Sequence, residues 1–407
     1  MAADVTLTDL LVKQPVGPDR SEADDVRLDR IRADLPAVRR GGYFNAGYTG
    51  PLCAAASAAV ADTVRREYEV GRMGPGPRDE ARRTQADARD LVAELLTCGR
   101  DEVALTQHTT EGVNAVVLGL PWRAGDNAVT TRIEHKGVLL PLGVLRDRKD
   151  VDVRAVTWDP FDSVNVLVQQ VLDSIDARTR LVALSHVSYV TGGLIPLQAV
   201  IEKAHRHGAL VLVDGAQTAG VLPIDVHALG VDAYPISGQK WLCGPEGTGA
   251  MYVSSAALER ILPTVVGWAS VASWQLDGSF EPYPDATRYE VGTRSRPLVA
   301  GFAAALRWSR DQVGRQWAAE RTATLGARLR EGLLSRTPAV PLTHGDHVGL
   351  ISFRLPLPPA EVVRRLAERE ITVRSIDGYD CVRACVGYFH TEDEVDDLVE
   401  QIAVVAR

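Results

Sequence analysis

Cysteine is scarce in this chain. The 407 residues hold five, Cys53, Cys98, Cys243, Cys381 and Cys385. The set is odd in number and lacks the paired spacing of a zinc site, so neither a disulfide framework nor a metal centre is expected. Long apolar runs are also missing: none approaches the roughly 20 residues that a membrane-spanning helix needs. The opening stretch MAADVTLTDLLVKQPVGPDR lacks the basic start and apolar core of a secretory leader. No membrane partner is expected, and the protein reads as cytoplasmic. Basic charge is dispersed, and 45 Lys and Arg against 53 Asp and Glu leave a net charge of −8. That excludes the electrostatic footprint of a nucleic-acid binder. There is no low-complexity tract and no internal repeat, which excludes a solenoid.

What is present is ordinary for a globular protein, 45% hydrophobic and 24% charged, in a chain long enough for two domains with a large core. The informative stretch is LVLVDGAQTAGVLPIDVHALGVDAYPISGQKWLCGPEGTG, from Leu210 to Gly249. Leu210 to Val213 has the composition of a buried strand and stops at Asp214, where Gly215 permits a sharp exit. A second short strand, Ala233 to Ile236, delivers Ser237, Gly238, Gln239 and Lys240. The span between Asp214 and Lys240 leaves room for the crossover that parallel strands require. A lysine that can tether an aldehyde cofactor, and a carboxylate that can hold a pyridine nitrogen protonated, are the two groups a pyridoxal phosphate enzyme needs. Lys240 and Asp214 fit those roles, and Gln217 is placed to donate to the cofactor's phenolic oxygen.

DGAQTAG followed by SGQKWLCGPEGTG resembles the cofactor segment of the class V aminotransferase superfamily. That resemblance implies an α/β chain of PLP fold type I: a large domain with a mixed, mostly parallel seven-stranded sheet covered by helices, and a smaller α+β domain. The expected layout is an arm over residues 1–25, a segment over 26–50 at the active-site mouth and on the small domain, a cofactor domain over 51–297 and a small domain over 298–407. Family members usually carry histidine before the lysine. Gln239 can still donate to a phosphate oxygen but cannot titrate.

Other motifs follow in the family's order. QHTTEGVN opens a helix whose free N–H groups, with Thr109 and Thr110, suit a phosphate cup; the plain alternative is that one threonine is only an N-cap. With Ser237, Gln239 and Lys240 these complete the expected cofactor contacts. His135, in IEHKGVLLP, matches the histidine that stacks on the pyridine face. SHVSYVTGG has Tyr189 where the family carries asparagine, and a larger ring there is expected to shape the pocket. RYEVGT resembles the segment that crosses a dimer interface, so the resemblance implies a homodimer with Thr293 reaching the partner's site. Near the start, YFNAGYTGPL offers Asn45 and Tyr48 as substrate contacts.

Spacing predicts helices over Leu28–Leu35, Ala54–Glu69 and Arg78–Leu96, the last two separated by the breaker GRMGPGP. Toward the carboxyl terminus, alternation in CVRAC puts Cys381, Arg383 and Cys385 on one face of a strand. Arg383 matches the family's substrate arginine, whose planar fork suits a carboxylate, and Arg374 is its companion.

YFNAGYTGPL, RYEVGT and RSIDGYDCVRACVGY together look most like the cystine C–S lyase and isopenicillin N epimerase-like branch. Specialised-metabolite enzymes acting on S-conjugated cysteines, including those of lincosamide antibiotic pathways, fall near it. The expected reaction is β-elimination from an S-substituted cysteine to thiol or persulfide, pyruvate and ammonia. Oxygen-dependent decarboxylative deamination of the same substrates is the alternative, and epimerisation a further one. Cysteine desulfurase is disfavoured because Cys381 lies on the presumed strand, without the reach of a loop nucleophile. A non-catalytic cofactor-binding homologue is argued against by the intact lysine and carboxylate.

Overall fold

The computed structural model describes residues 24–407. Of the expected arm over 1–25, only Asp24 and Asp25 are therefore described, and they open the first helix, α1 (Asp24–Asp34). A short strand β1 (Gly42–Tyr43) follows, then α2 (Ala54–Val70) and α3 (Pro75–Leu96). The last begins three residues earlier than its apolar spacing predicts. Pro75 sits in the first turn, where its missing N–H is no loss, and Gly74 with φ 99° makes the preceding corner. The breaker is thus half turn and half helix start.

A doubly covered sheet comes next, laid down by β2 (Val103–Thr106), α4 (Thr109–Gly119), β3 (Asn127–Thr131), α5 (Lys136–Lys149), β4 (Asp152–Val156), α6 (Val164–Ser174), β5 (Thr179–Ser185), α7 (Gln198–Arg206), β6 (Leu210–Asp214), β7 (Ala233–Ser237) and β8 (Gly249–Val253). The seven strands lie in the order β2-β8-β7-β6-β5-β3-β4. Only β8 runs against the rest, pairing antiparallel with both β2 and β7. The expected mixed, mostly parallel sheet is present. Period-two alternation divides the core: Val211 and Val213 join one apolar cluster, and Leu210 and Leu212 the other, on the opposite face.

An exposed hairpin, β9 (Val271–Trp274) and β10 (Phe280–Pro282), precedes α8 (Arg296–Trp308). This helix packs on α2 and α3 and puts Val299, Phe302 and Leu306 into the main cluster. Its packing ties it to the large sheet, so a boundary at 298 cuts through a helix that serves the large domain.

The remaining chain forms α9 (Arg315–Arg336), β11 (Val340–Pro341), β12 (Leu350–Arg354), α10 (Pro359–Ala367), β13 (Ile371–Thr372), β14 (Arg374–Ser375), β15 (Val382–Cys385) and α11 (Glu392–Val405). Four of these strands make an antiparallel sheet in the order β11-β12-β15-β14. Val382 and Ala384 face the core beneath α9 to α11, while Cys381 joins a cluster of the large domain and Cys385 one that spans both domains. Arg383, between them in the alternation, therefore turns toward the domain boundary. β1 pairs in parallel with β13, which carries the segment after Tyr43 across the same boundary. Among the described residues no helix is long and apolar enough to cross a membrane.

Candidate active site

Parallel strands end on one edge of a sheet, and the loops leaving them meet there. At this edge β2 is followed by His108 and Thr109, β3 by His135, β5 by Tyr189 and β7 by Lys240, while β6 ends at Asp214. All of these border one cavity of about 370 Å³. Thr110, Gln217, Ser237, Gln239, Arg374, Arg383 and Tyr48 border it too. Asn45 and Thr293 do not. Asn45 bridges to Cys385 beside the cavity, and Thr293 is exposed in a separate cleft with Arg294 and Ser295.

The start of α4 is built differently from the simple alternative. Its cap is His108, whose Nδ1 accepts from the Glu111 N–H at 3.0 Å, so no threonine is spent on capping. The Thr109 hydroxyl meets the Ser237 hydroxyl at 2.7 Å, which joins the two strand exits. The first N–H groups of a helix are a ready anion site.

His135 caps α5, its Nδ1 accepting from the Gly137 N–H at 3.0 Å. Its ring also meets Tyr189 edge to face at 5.2 Å between centroids. Burial, then the neighbouring cations Lys240 and Arg374, lower its pKa to about 4, so the ring is neutral near pH 7.

Burial pulls the Lys240 amine down to about 8, against the attraction of Asp214. Burial likewise raises the Asp214 carboxyl, opposed by Lys240 and by the Ala216 N–H that it accepts. Behind them Glu134 is wholly enclosed. It accepts from the Ser185 N–H and hydroxyl and from the Thr131 hydroxyl, and burial raises its carboxyl to about 7.

The amide of Gln217 is more occupied than its expected role required. It donates to the Gly47 carbonyl at 2.8 Å and accepts from the buried Trp241 indole at 3.0 Å, leaving one N–H for a cofactor oxygen. Gly47 is needed at this point: a Cβ there would come within 2.9 Å of Cys385 Sγ and 3.3 Å of Arg383 Nη2. Gly50 is tighter still, with a Cβ position 1.9 Å from the Lys240 carbonyl oxygen.

Arg383 is 1% exposed. Nη1 donates to the Tyr189 carbonyl at 2.7 Å, while Nε and Nη2 are buried without a protein partner. A buried guanidinium left half unpaired calls for an anion. Gln239 Oε1 is buried and unpartnered as well. Arg374 lies over the Tyr48 ring, 4.7 Å from its centroid.

Five residues beyond those expected border the cavity: Gly47, His108, Lys136, Ala216 and Asp377. His108 lies within the phosphate-cup motif, Lys136 next to His135, and Asp377 in RSIDGYD. Asp377 carries no local mark, because its place at the cavity depends on the small domain meeting the large one.

A lysine, a carboxylate and a helix start on one sheet edge, facing a half-unpaired arginine of the small domain across one cavity, define a cofactor-dependent enzyme of amino acid chemistry. A family model for aminotransferase class V matches residues 43–398, and the chain belongs to that family. It is 31% identical to a probable cysteine desulfurase of Methanothermobacter thermautotrophicus, over 94% of this chain and 98% of that protein. It is 32% identical to a cysteine desulfurase of Klebsiella pneumoniae, over 91% and 96%. Among solved structures it resembles the cystine C–S lyase C-DES in complex with its reaction product cysteine persulfide, with TM-score 0.85, 30% identity and coverage of 91% and 99%. An apo cysteine desulfurase from Thermococcus onnurineus NA1 gives TM-score 0.82 and 25% identity, with coverage of 93% and 98%.

The protein is accordingly a pyridoxal phosphate-dependent enzyme with the fold type I architecture. The residues present fit that group. An amine of lowered pKa, a buried carboxylate and the helix start at Thr109 and Thr110 line one cavity.

Proposed function

We propose that the protein is a C–S lyase that removes the sulfur substituent of an S-substituted cysteine by β-elimination. Bound pyridoxal phosphate supplies an electron sink for the Cα carbanion. Lys240 is the group that takes the Cα proton, its lowered pKa bringing the free amine within reach of neutral pH. Asp214 would hold the ring nitrogen charged, His135 would face the ring as a neutral group, and Thr109, Thr110, Ser237 and Gln239 would hold the phosphate. Arg383 takes the substrate carboxylate, with Arg374 beside it. Asn45, Tyr48 and Tyr189 shape the entrance. The Cβ–S bond breaks with its electron pair on sulfur, which leaves as thiolate or persulfide. Water then carries the three-carbon remainder to pyruvate and ammonium.

The observation that carries this reading is the half-unpaired Arg383 fork in the cavity that holds Lys240 and Asp214. Cysteine desulfurase, the name of close relatives, is the second reading. It needs a thiol that can travel to the substrate sulfur. Cys53, Cys243, Cys381 and Cys385 are buried and Cys98 partly so. Cys381 stands just ahead of β15, and burial pushes its thiol up to about 11. That favours release of sulfur with the leaving group over transfer to the protein.

Product analysis with L-cystine and S-methylcysteine tests the choice. Pyruvate and ammonium in equal amounts, with a persulfide or thiol, support the lyase. Alanine with protein-bound persulfide supports the desulfurase, and oxygen uptake with carbon dioxide supports decarboxylative deamination. A homodimer belongs to the same proposal: the cleft at Thr293 adjoins the exposed Tyr68 on α2. Sedimentation, with cofactor affinity measured in Thr293→Ala, tests whether that threonine serves the partner's site.

A further inference from the structure

At the mouth of the cavity, Lys136 Nζ and Asp377 Oδ2 form an ion pair at 2.9 Å. The lysine begins α5 on the large sheet and the aspartate sits on the turn between β14 and β15, so the pair spans the gap through which a substrate enters. Both side chains are mostly exposed, at 63% and 67%. An ion pair in that setting contributes little to the fold. It is also not needed to hold the hairpin in place, since the Tyr379 hydroxyl already donates to the Arg132 carbonyl at 2.8 Å across the same gap.

Charge in the cavity is unevenly shared. Lys136, Lys240, Arg374 and Arg383 border it, against two carboxylates, Asp214 and Asp377. With Lys240 and Asp214 committed to the cofactor and Arg383 to the α-carboxylate of the reacting cysteine, the mouth retains cations and one carboxylate. Of these, Lys136 and Asp377 pair with each other across the mouth. A group carrying one charge of each sign, close together, can replace that pair with two ion pairs of its own.

We infer that Lys136 and Asp377 recognise the far side of the substrate and select an S-substituent that itself ends in an amino acid. Its carboxylate goes to Lys136 and its ammonium to Asp377. The inference rests on the C–S lyase reading and narrows the substrate class to disulfides or thioethers joining cysteine to a second zwitterion.

The test crosses variants with substrates on the holoenzyme. Three disulfides of L-cysteine are compared: with a second cysteine, with cysteamine, which lacks the distal carboxylate, and with 3-mercaptopropionate, which lacks the distal ammonium. Asp377→Asn is expected to lower kcat/KM for the two ammonium-bearing disulfides about fivefold relative to the mercaptopropionate one, and Lys136→Gln to lower the two carboxylate-bearing disulfides about fivefold relative to the cysteamine one. Equal effects on all three substrates, or none, overturn the inference, because a latch that only holds the mouth would show no preference. Calorimetric binding of the same disulfides to a Lys240→Ala background repeats the comparison without turnover. Absence of turnover in wild type would therefore count against the lyase reading alone, while a flat binding matrix would count against the charge pair.

Discussion

Arg374 on β14 stands directly opposite Arg383 on β15 in an antiparallel ladder. Two guanidinium groups facing one cavity repel each other until an anion arrives, so substrate affinity and apo-state strain are two sides of one arrangement.

Replacing Arg383 by Met should separate them. Loss of a charge-assisted pair worth about 1.5–3 kcal/mol raises KM about 10- to 100-fold. The melting temperature without substrate should rise, because an unpaired buried charge has gone. Steady-state kinetics and thermal denaturation of the same preparation check both signs.

Lys240 yields a pH prediction for the apoenzyme. Its folded pKa, about 8, lies below the ordinary 10.5, so the unfolded chain binds more protons between those values and stability rises with pH across that window. The rate of covalent cofactor capture should rise with pH and level off above about 8, as the free amine becomes dominant. Lys240→Met removes both effects, and borohydride then fixes no cofactor to the chain. Stopped-flow absorbance and denaturation at several pH values check this.

Asp214→Asn keeps the shape and removes the charge. Cofactor should still bind, with kcat reduced on the order of 10²–10³-fold, the scale seen when one stabilising electrostatic group is lost. Visible spectra before and after substrate addition show whether the loss falls on chemistry or on binding.

Gln239 cannot titrate, so it adds no pH dependence of its own to cofactor release in the range where histidine changes charge. Gln239→His should introduce a pH dependence, with slower release at the acid end as the imidazolium holds the phosphate. Release followed by dialysis and absorbance checks it.

Gly50→Ala places a methyl 1.9 Å from the Lys240 carbonyl oxygen. Overpacking of this kind costs about 1–3 kcal/mol. Because the displaced residue is the proposed tether, cofactor occupancy should fall along with the melting temperature.

The local order of the chain determined a good deal. Apolar runs located β6 and β7 to within a residue, and QHTTEGVN the start of α4, since burial on two sheet faces leaves its mark on neighbouring positions. The Asp214 and Lys240 strand exits were legible for the same reason. Helix ends were less so: Pro75 looked like a breaker and serves as a helix start, and His108, not a threonine, became the cap of α4.

Only the tertiary structure decided what faces what across the two domains. It turned Arg383 out of the small-domain core toward Tyr189, brought Asp377 to Lys136, and left Thr293 outside the cavity that Lys240 lines. Sequence patterns record which side of an element is buried. They carry no record of which distant element supplies the burial, because that depends on how the domains pack.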